Sequence, residues 1–119
     1  MSAPEVTLVD KTVTLAATVA TDIFNLSLAQ YERVTIAMQA GAADVTAAVW
    51  GEGAGSLFAD NAAVAAAVLD SLDAGETAVV KLAGEDVPSQ LKVTLTSSSG
   101  TTVVVTVKGV LKGAAIIPE

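Results

Sequence analysis

Runs in which apolar and polar residues alternate, separated by short turns, dominate this sequence of 119 residues. A period of two is typical of β-strands that bury one face, and the Val and Thr residues that fill the runs suit a pleated sheet. In residues 11–19, Val13 and Leu15 share one face while Thr12 and Thr14 share the other. Similar runs occupy residues 22–28, 31–39, 45–50, 77–82, 90–96 and 102–110. The pattern therefore predicts an all-β fold.

The spacing of these runs predicts how they are arranged. Seven to eight strands separated by about 8–12 residues favour a single antiparallel β-sandwich domain over residues 1–119. Residues 97–100, Ser-Ser-Ser-Gly, are expected to be a hairpin turn joining antiparallel neighbours. We expect residues 1–10 to form an N-terminal arm and residues 113–119 an apolar C-terminal tail, each able to dock on a neighbouring subunit.

One segment, residues 61–72, is ambiguous in the sequence. Its alanines favour a short helix, with Asp60 or Asn61 as the N-cap. A strand with small side chains across residues 64–69 fits the same stretch, so the sequence leaves both alternatives open.

The absence of Cys and His removes much reactive chemistry. The chain lacks a thiolate nucleophile, the commonest general base and the usual ligands of structural zinc. It has 13 acidic and 6 basic residues, and the net charge of −7 argues against nucleic acid, because affinity for a phosphate backbone comes from Lys and Arg. We therefore expect no enzyme activity, no catalytic residue, no cofactor, no metal ion and no nucleic-acid partner.

Two local patterns do not support a more specific site. The loop 51–56 has glycines at 51, 53 and 55, but their spacing departs from the dinucleotide-binding fingerprint and Glu52 would repel a phosphate. The acidic residues of two turns are too few for the roughly six to eight oxygens of a calcium site. These residues are Asp70, Asp73, Glu85 and Asp86. A flexible loop and solvated turn carboxylates are the simpler interpretation.

The chain is apolar without a membrane segment. Hydrophobic residues make up 52% and the mean hydropathy is +0.61, yet no apolar run approaches the roughly 18–20 residues that cross a bilayer. Residues 1–5 lack the basic and apolar regions of a signal peptide. We expect no membrane contact, no signal peptide, and apolar surface that is covered by another subunit.

A few apolar residues are candidates for that subunit interface. Trp50 falls on the face opposite Val45 and Val49, so it points outward if those valines face the core. An exposed aromatic residue can anchor an interface or stack on a sugar, although covering the edge of the sandwich is the simpler role. The candidates are Trp50, Phe58, Tyr31, Ile116 and Ile117.

Two stretches in the second half of the chain have a recognisable pattern. They are residues 72–82, LDAGETAVVKL, and residues 90–109, QLKVTLTSSSGTTVVVTVKG. In this pattern the chain resembles small β-sandwich proteins of tailed bacteriophage virions, of the head decoration or cement type. The resemblance extends over residues 11–112 without a diagnostic motif, and the Ala-rich residues 60–69 depart from it.

The resemblance implies a non-enzymatic virion structural protein on the capsid exterior. Such a subunit binds the major capsid protein, stabilises the shell and is a homo-oligomer, often a trimer. The alternatives are a carbohydrate- or host-surface-binding module, a tail or connector subunit of the virion, and a small enzyme that uses carboxylates alone.

Overall fold

The computed structural model describes residues 5–52, 57–59, 71–84 and 87–112, and the regular elements in these ranges are nine β-strands. The strands are β1 (Glu5–Leu15), β2 (Thr21–Ser27), β3 (Tyr31–Ala40), β4 (Val45–Glu52), β5 (Leu57–Ala59), β6 (Ser71–Leu72), β7 (Thr77–Ala83), β8 (Gln90–Thr96) and β9 (Thr101–Leu111).

The strands form two antiparallel sheets. Sheet 1 has the order β1-β9-β3-β7, and sheet 2 has the order β2-β8-β4 with both β5 and β6 paired to the remaining edge of β4. Because β5 pairs with one end of β4 and β6 with the other, the nine strands fill eight positions, four in each sheet. The prediction of an all-β antiparallel sandwich is confirmed.

The order of the strands defines the topology. The chain changes sheet at nearly every connection, and only β4, β5 and β6 follow one another within one sheet. Strands from the two halves of the chain pair with each other in a nested series: β1 with β9, β2 with β8, β3 with β7, and β4 with β5. With β5 and β6 counted as one position, this is the eight-stranded, double-sheet order of a jelly roll.

The predicted hairpin at residues 97–100 is wrong, because β8 and β9 lie in different sheets. The segment crosses between the sheets instead. The Thr18 backbone N–H donates to the Ser97 carbonyl at 2.8 Å, which fixes the start of the crossing. Gly100 has a φ of 79°, and a Cβ there would lie 3.1 Å from the Leu15 carbonyl oxygen. Glycine is therefore needed where this crossing passes the end of β1.

Two other boundaries differ from the sequence expectations, and the structure also describes the end of the ambiguous segment. Residues 5–10, assigned to an N-terminal arm, are the first half of β1 and pair with β9 from Glu5 onward. The strand expected to reach residue 19 ends at Leu15, because Thr18 adopts a left-handed φ of 61°. Residues 71–72, at the end of the ambiguous segment, form β6 and not a helix. Residues 1–4, 60–70 and the predicted tail 113–119 lie outside the described residues.

The core lies between the sheets and is built by every second residue of the strands. In β8, Leu91, Val93 and Leu95 are fully buried while the residues between them are partly exposed. On β3, Ile36 and Met38 are equally inaccessible and belong to the same cluster. The alternating apolar residues of the strands thus form one apolar layer between the two sheets.

Ser97 is a polar exception within this layer. The side chain is buried, and its Oγ has no hydrogen-bond partner among the residues that the structure describes. An unsatisfied buried hydroxyl costs about 1–3 kcal/mol. Ser97→Ala is therefore expected to leave the free energy of unfolding unchanged or to raise it by about 1 kcal/mol in urea denaturation. The exposed neighbour substitution Ser98→Ala is the control, and a clear loss in Ser97→Ala alone would contradict this account of the hydroxyl.

Candidate binding surface on sheet 2

Trp50 lies on the outer face of sheet 2. Val45, Ala47 and Val49 of the same strand are buried, and Trp50, one residue out of phase with them, is partly exposed on the opposite side. The predicted outward direction of Trp50 is thus confirmed, and its indole is available to contact something outside the sandwich core.

Lys92 and Asp22 extend this surface across the sheet. Lys92 is opposite Trp50 in the register of β4 and β8, and its Nζ lies 5.8 Å from the centre of the indole ring. The same ammonium group is 3.9 Å from Oδ2 of Asp22 on β2. The Thr94 hydroxyl donates to Oδ1 of Asp22 at 2.8 Å. A ring, a cation and a carboxylate therefore follow one another across three strands.

A pair of amides completes the surface. Gln90 Nε2 donates to Asn25 Oδ1 at 2.6 Å, joining β8 to β2. Asn25 is directly opposite Lys92 in the register, so the amides adjoin the charged group. We call this surface the Trp50 face. Its members are Trp50, Lys92, Thr94, Asp22, Asn25 and Gln90.

The chemistry of the Trp50 face is that of a recognition surface. An aromatic ring offers an apolar plane, while neighbouring amides, a hydroxyl and a carboxylate offer directional hydrogen bonds. The contact of Lys92 with the ring contributes about 0.5–1 kcal/mol at an exposed site. A ligand that stacks on Trp50 has to replace only this weak contact with Lys92.

Tyr31, a predicted interface residue, is a core residue instead. It is only 6% exposed, and its ring packs over the backbone of Gly109, where a Cβ would lie 2.7 Å from Cδ1 of the ring. Its hydroxyl oxygen accepts a hydrogen bond from Gln30 Nε2 at 3.3 Å. The register of β3 shifts between Tyr31 and Arg33, and a shift of this kind turns a side chain to the other face of the sheet.

The other predicted interface residues are less fully placed. The backbone of Phe58 pairs with Gly51 in the ladder between β5 and β4. Ile116 and Ile117 lie outside the described residues.

Two carboxylates near the described turn accept hydrogen bonds from its backbone, while Asp73, the one predicted turn carboxylate that the structure describes, is exposed. Glu76 Oε1 accepts from the backbone N–H of Asp73 at 2.9 Å, and Asp44 Oδ1 accepts from Ala74 at 2.8 Å. Asp70, Glu85 and Asp86 are outside the part of the chain that the structure describes. Within that part, no group of three or more acidic residues is arranged to hold a metal ion, and no helix is long and apolar enough to span a bilayer.

Sequence reasoning found Trp50 but missed its polar neighbours. The alternation does predict that Lys92 and Thr94 share one face of β8. The sequence does not show that β8 lies between β4 and β2, because strand pairing depends on the whole topology. A scan against protein-family models finds no match for this chain, and a search of curated proteins also finds none.

Proposed function

We propose that this chain is a non-enzymatic structural subunit of a tailed-phage virion, which decorates the capsid exterior as a homo-oligomer and stabilises the shell by binding the major capsid protein. The observation that carries the proposal is the jelly-roll strand order. Viral capsid domains are among the proteins that use this architecture, and so are lectins and cupins, so the argument is one of fold-level analogy. The pattern resemblance to decoration proteins favours the first of these.

The outer face of sheet 1 supports an assembly role. Val79 of β7 and Val104 of β9 are 51% and 44% exposed there. Ala37 of β3 is opposite Val79 in the register, so it adds a third apolar side chain to this face. Apolar side chains exposed on the outer face of a sheet suit contact with another protein. The net charge of −7 is compatible with a place outside the shell, away from packaged DNA.

Density-gradient sedimentation of native source material, with the chain followed by mass spectrometry, tests the proposal. We expect the chain to co-migrate with DNA-filled particles in a fixed ratio to the major shell protein. A ratio of only a few copies per particle would favour a tail or connector position. Recovery of the chain solely as a free species would contradict a virion role altogether.

The Trp50 face favours carbohydrate binding as a second candidate function. Its aromatic plane beside amides and a carboxylate offers both stacking and hydrogen bonds to a sugar. If this function is correct, Trp50→Ala should weaken binding on a glycan array by at least about tenfold, because the stacking area is lost.

Thr46→Ala is the matched control for the glycan experiment. Thr46 lies on the same strand and the same exposed face, but it belongs to neither the ring nor the amide pair. No binding by the wild type would remove the carbohydrate function. Equal binding by wild type, Trp50→Ala and Thr46→Ala would show that the Trp50 face is not the glycan site.

A further inference from the structure

Three of the six basic residues of this acidic chain lie together on the outer face of sheet 1. Thr35 of β3 has Lys81 of β7 on one side in the register and Lys108 of β9 on the other, and Arg33 lies two residues before it. With Glu5 of β1, these residues line a surface depression of about 400 Å³. We call it the basic depression.

The cations of the basic depression are not neutralised within the described chain. The ion pair found among the described residues joins Lys92 to Asp22 on the other sheet. Three basic side chains and Glu5 give the depression a net charge of +2 against −7 for the whole chain. Cations that are gathered on one face without partners repel one another, so their arrangement does not serve the stability of the isolated chain.

The opposite end of the sandwich has the opposite charge. The turn before β7 presents Asp73 and Glu76, and Asp44 lies beside it, with no basic residue in segments 41–44 and 73–76. We call Asp44, Asp73 and Glu76 the acidic turn. Glu76, the residue before β7, is five residues from Lys81, which is about 16 Å along an extended chain.

The acidic turn is exposed and held in one shape. Gly75 has a φ of 77° at its tip, and its N–H donates to the Gly41 carbonyl at 2.8 Å. The Ala74 N–H donates to Asp44, which ties the turn to the segment after β3. An exposed turn that its hydrogen bonds already order loses little conformational freedom when it binds.

We propose that the acidic turn of one copy of this chain docks into the basic depression of a second copy. Charge complementarity carries the proposal, since an exposed, hydrogen-bonded anionic turn would meet a concave cationic surface. Arg33 offers a planar fork that matches a carboxylate, and the two lysines add point charges. The inference rests on the homo-oligomer in the proposed function and names the contact that forms it.

The geometry defines the kind of assembly. The two surfaces differ and lie at opposite ends of the sandwich, so the contact is head-to-tail. Head-to-tail contacts close into a ring when the rotation between subunits suits, and a trimer is one such ring. A nucleic acid is a poorer occupant of the depression, because the chain as a whole repels a polyanion.

Charge reversal tests the contact. Lys81→Glu/Lys108→Glu reverses the depression, and Asp73→Lys/Glu76→Lys reverses the turn. Sedimentation velocity over a range of concentrations should show that wild type self-associates and that each variant does so at least about tenfold more weakly. An equimolar mixture of the two variants should associate more strongly than either variant alone, in species that contain both, because every contact between unlike variants joins opposite charges. A ring of three subunits would still hold one contact between like variants, so the mixture is expected to associate less strongly than the wild type.

Two further variants serve as a control and a substitute in this experiment. Lys11→Glu/Lys112→Glu changes the net charge equally at exposed positions that do not line the depression, and it should associate like wild type. Glu76 also caps the turn, so Asp73→Lys alone is the substitute if the double variant is unfolded by circular dichroism.

The outcomes separate the contact from the function. Association of Lys81→Glu/Lys108→Glu at wild-type strength, or a mixture that stays dissociated, would overturn the contact and leave the homo-oligomer standing. A wild-type chain that is monomeric at every concentration would overturn both. The gradient experiment decides the virion role independently of either result.

Discussion

Replacing Ile36 with Ala is expected to lower the free energy of unfolding by about 2–5 kcal/mol. Ile36 is fully buried on β3, where it is paired with Val80 on one side and Val107 on the other. Because both neighbouring strands hold their side chains in place, the packing collapses little around the lost atoms and a cavity remains. Urea denaturation with matched slopes would measure the loss.

Val79→Ala is the control for Ile36→Ala. Val79 is an apolar residue of the same sheet that is 51% exposed, and its truncation should change stability by no more than about 0.5 kcal/mol. If the two substitutions had equally small effects, the inner face of sheet 1 would not be the packed core that the burial pattern describes.

Gly109→Ala is expected to cause the second large loss of stability, because the added methyl group would crowd the ring of Tyr31. A Cβ at this position would lie 2.7 Å from Cδ1 and 3.0 Å from Cε1 of Tyr31. The ring is buried and cannot swing into solvent, so the backbone of β9 or β3 must shift. Overpacking of this kind costs about 1–3 kcal/mol, and we expect the upper end in thermal or urea unfolding because both strands are central in sheet 1.

A double-mutant cycle isolates the cause of the Gly109→Ala effect. Tyr31→Leu removes the ring that the new methyl group would strike, so Gly109→Ala should cost much less in that background. Val104→Ala, on the exposed side of the same strand, should be nearly neutral in both. Equal costs of Gly109→Ala with and without the ring would show that glycine is required for another reason.

The strands could be predicted from the sequence because alternation encodes which face is buried. The predicted runs 31–39, 77–82, 90–96 and 102–110 each fall within one or two residues of β3, β7, β8 and β9. Alternation does not encode the partner of a strand. Residues 97–100 have the composition of a hairpin turn, yet β8 and β9 each find their neighbours in different sheets.

In the candidate site, too, some residues could be placed from the sequence and others could not. The direction of Trp50 follows from its phase relative to Val45 and Val49, and no irregularity intervenes in β4. Tyr31 is out of phase with Val34, so simple alternation alone would put its side chain on the outer face. The irregularity between Tyr31 and Arg33 reverses that phase, and no feature of the local sequence predicts it.

The basic depression shows what only the fold can assemble. Arg33, Lys81 and Lys108 come from three separate strands and look like ordinary solvent-facing charges in the sequence. The nested pairing of β3 with both β7 and β9 brings them around Thr35.

The most direct measurement for the proposed function is the temperature at which virus particles release their DNA, with and without this chain. Particles made without the chain, or stripped of it, should release DNA at a lower temperature, and adding the purified protein should restore the wild-type value. Identical release temperatures for particles that do and do not carry the chain would contradict its role in stabilising the shell.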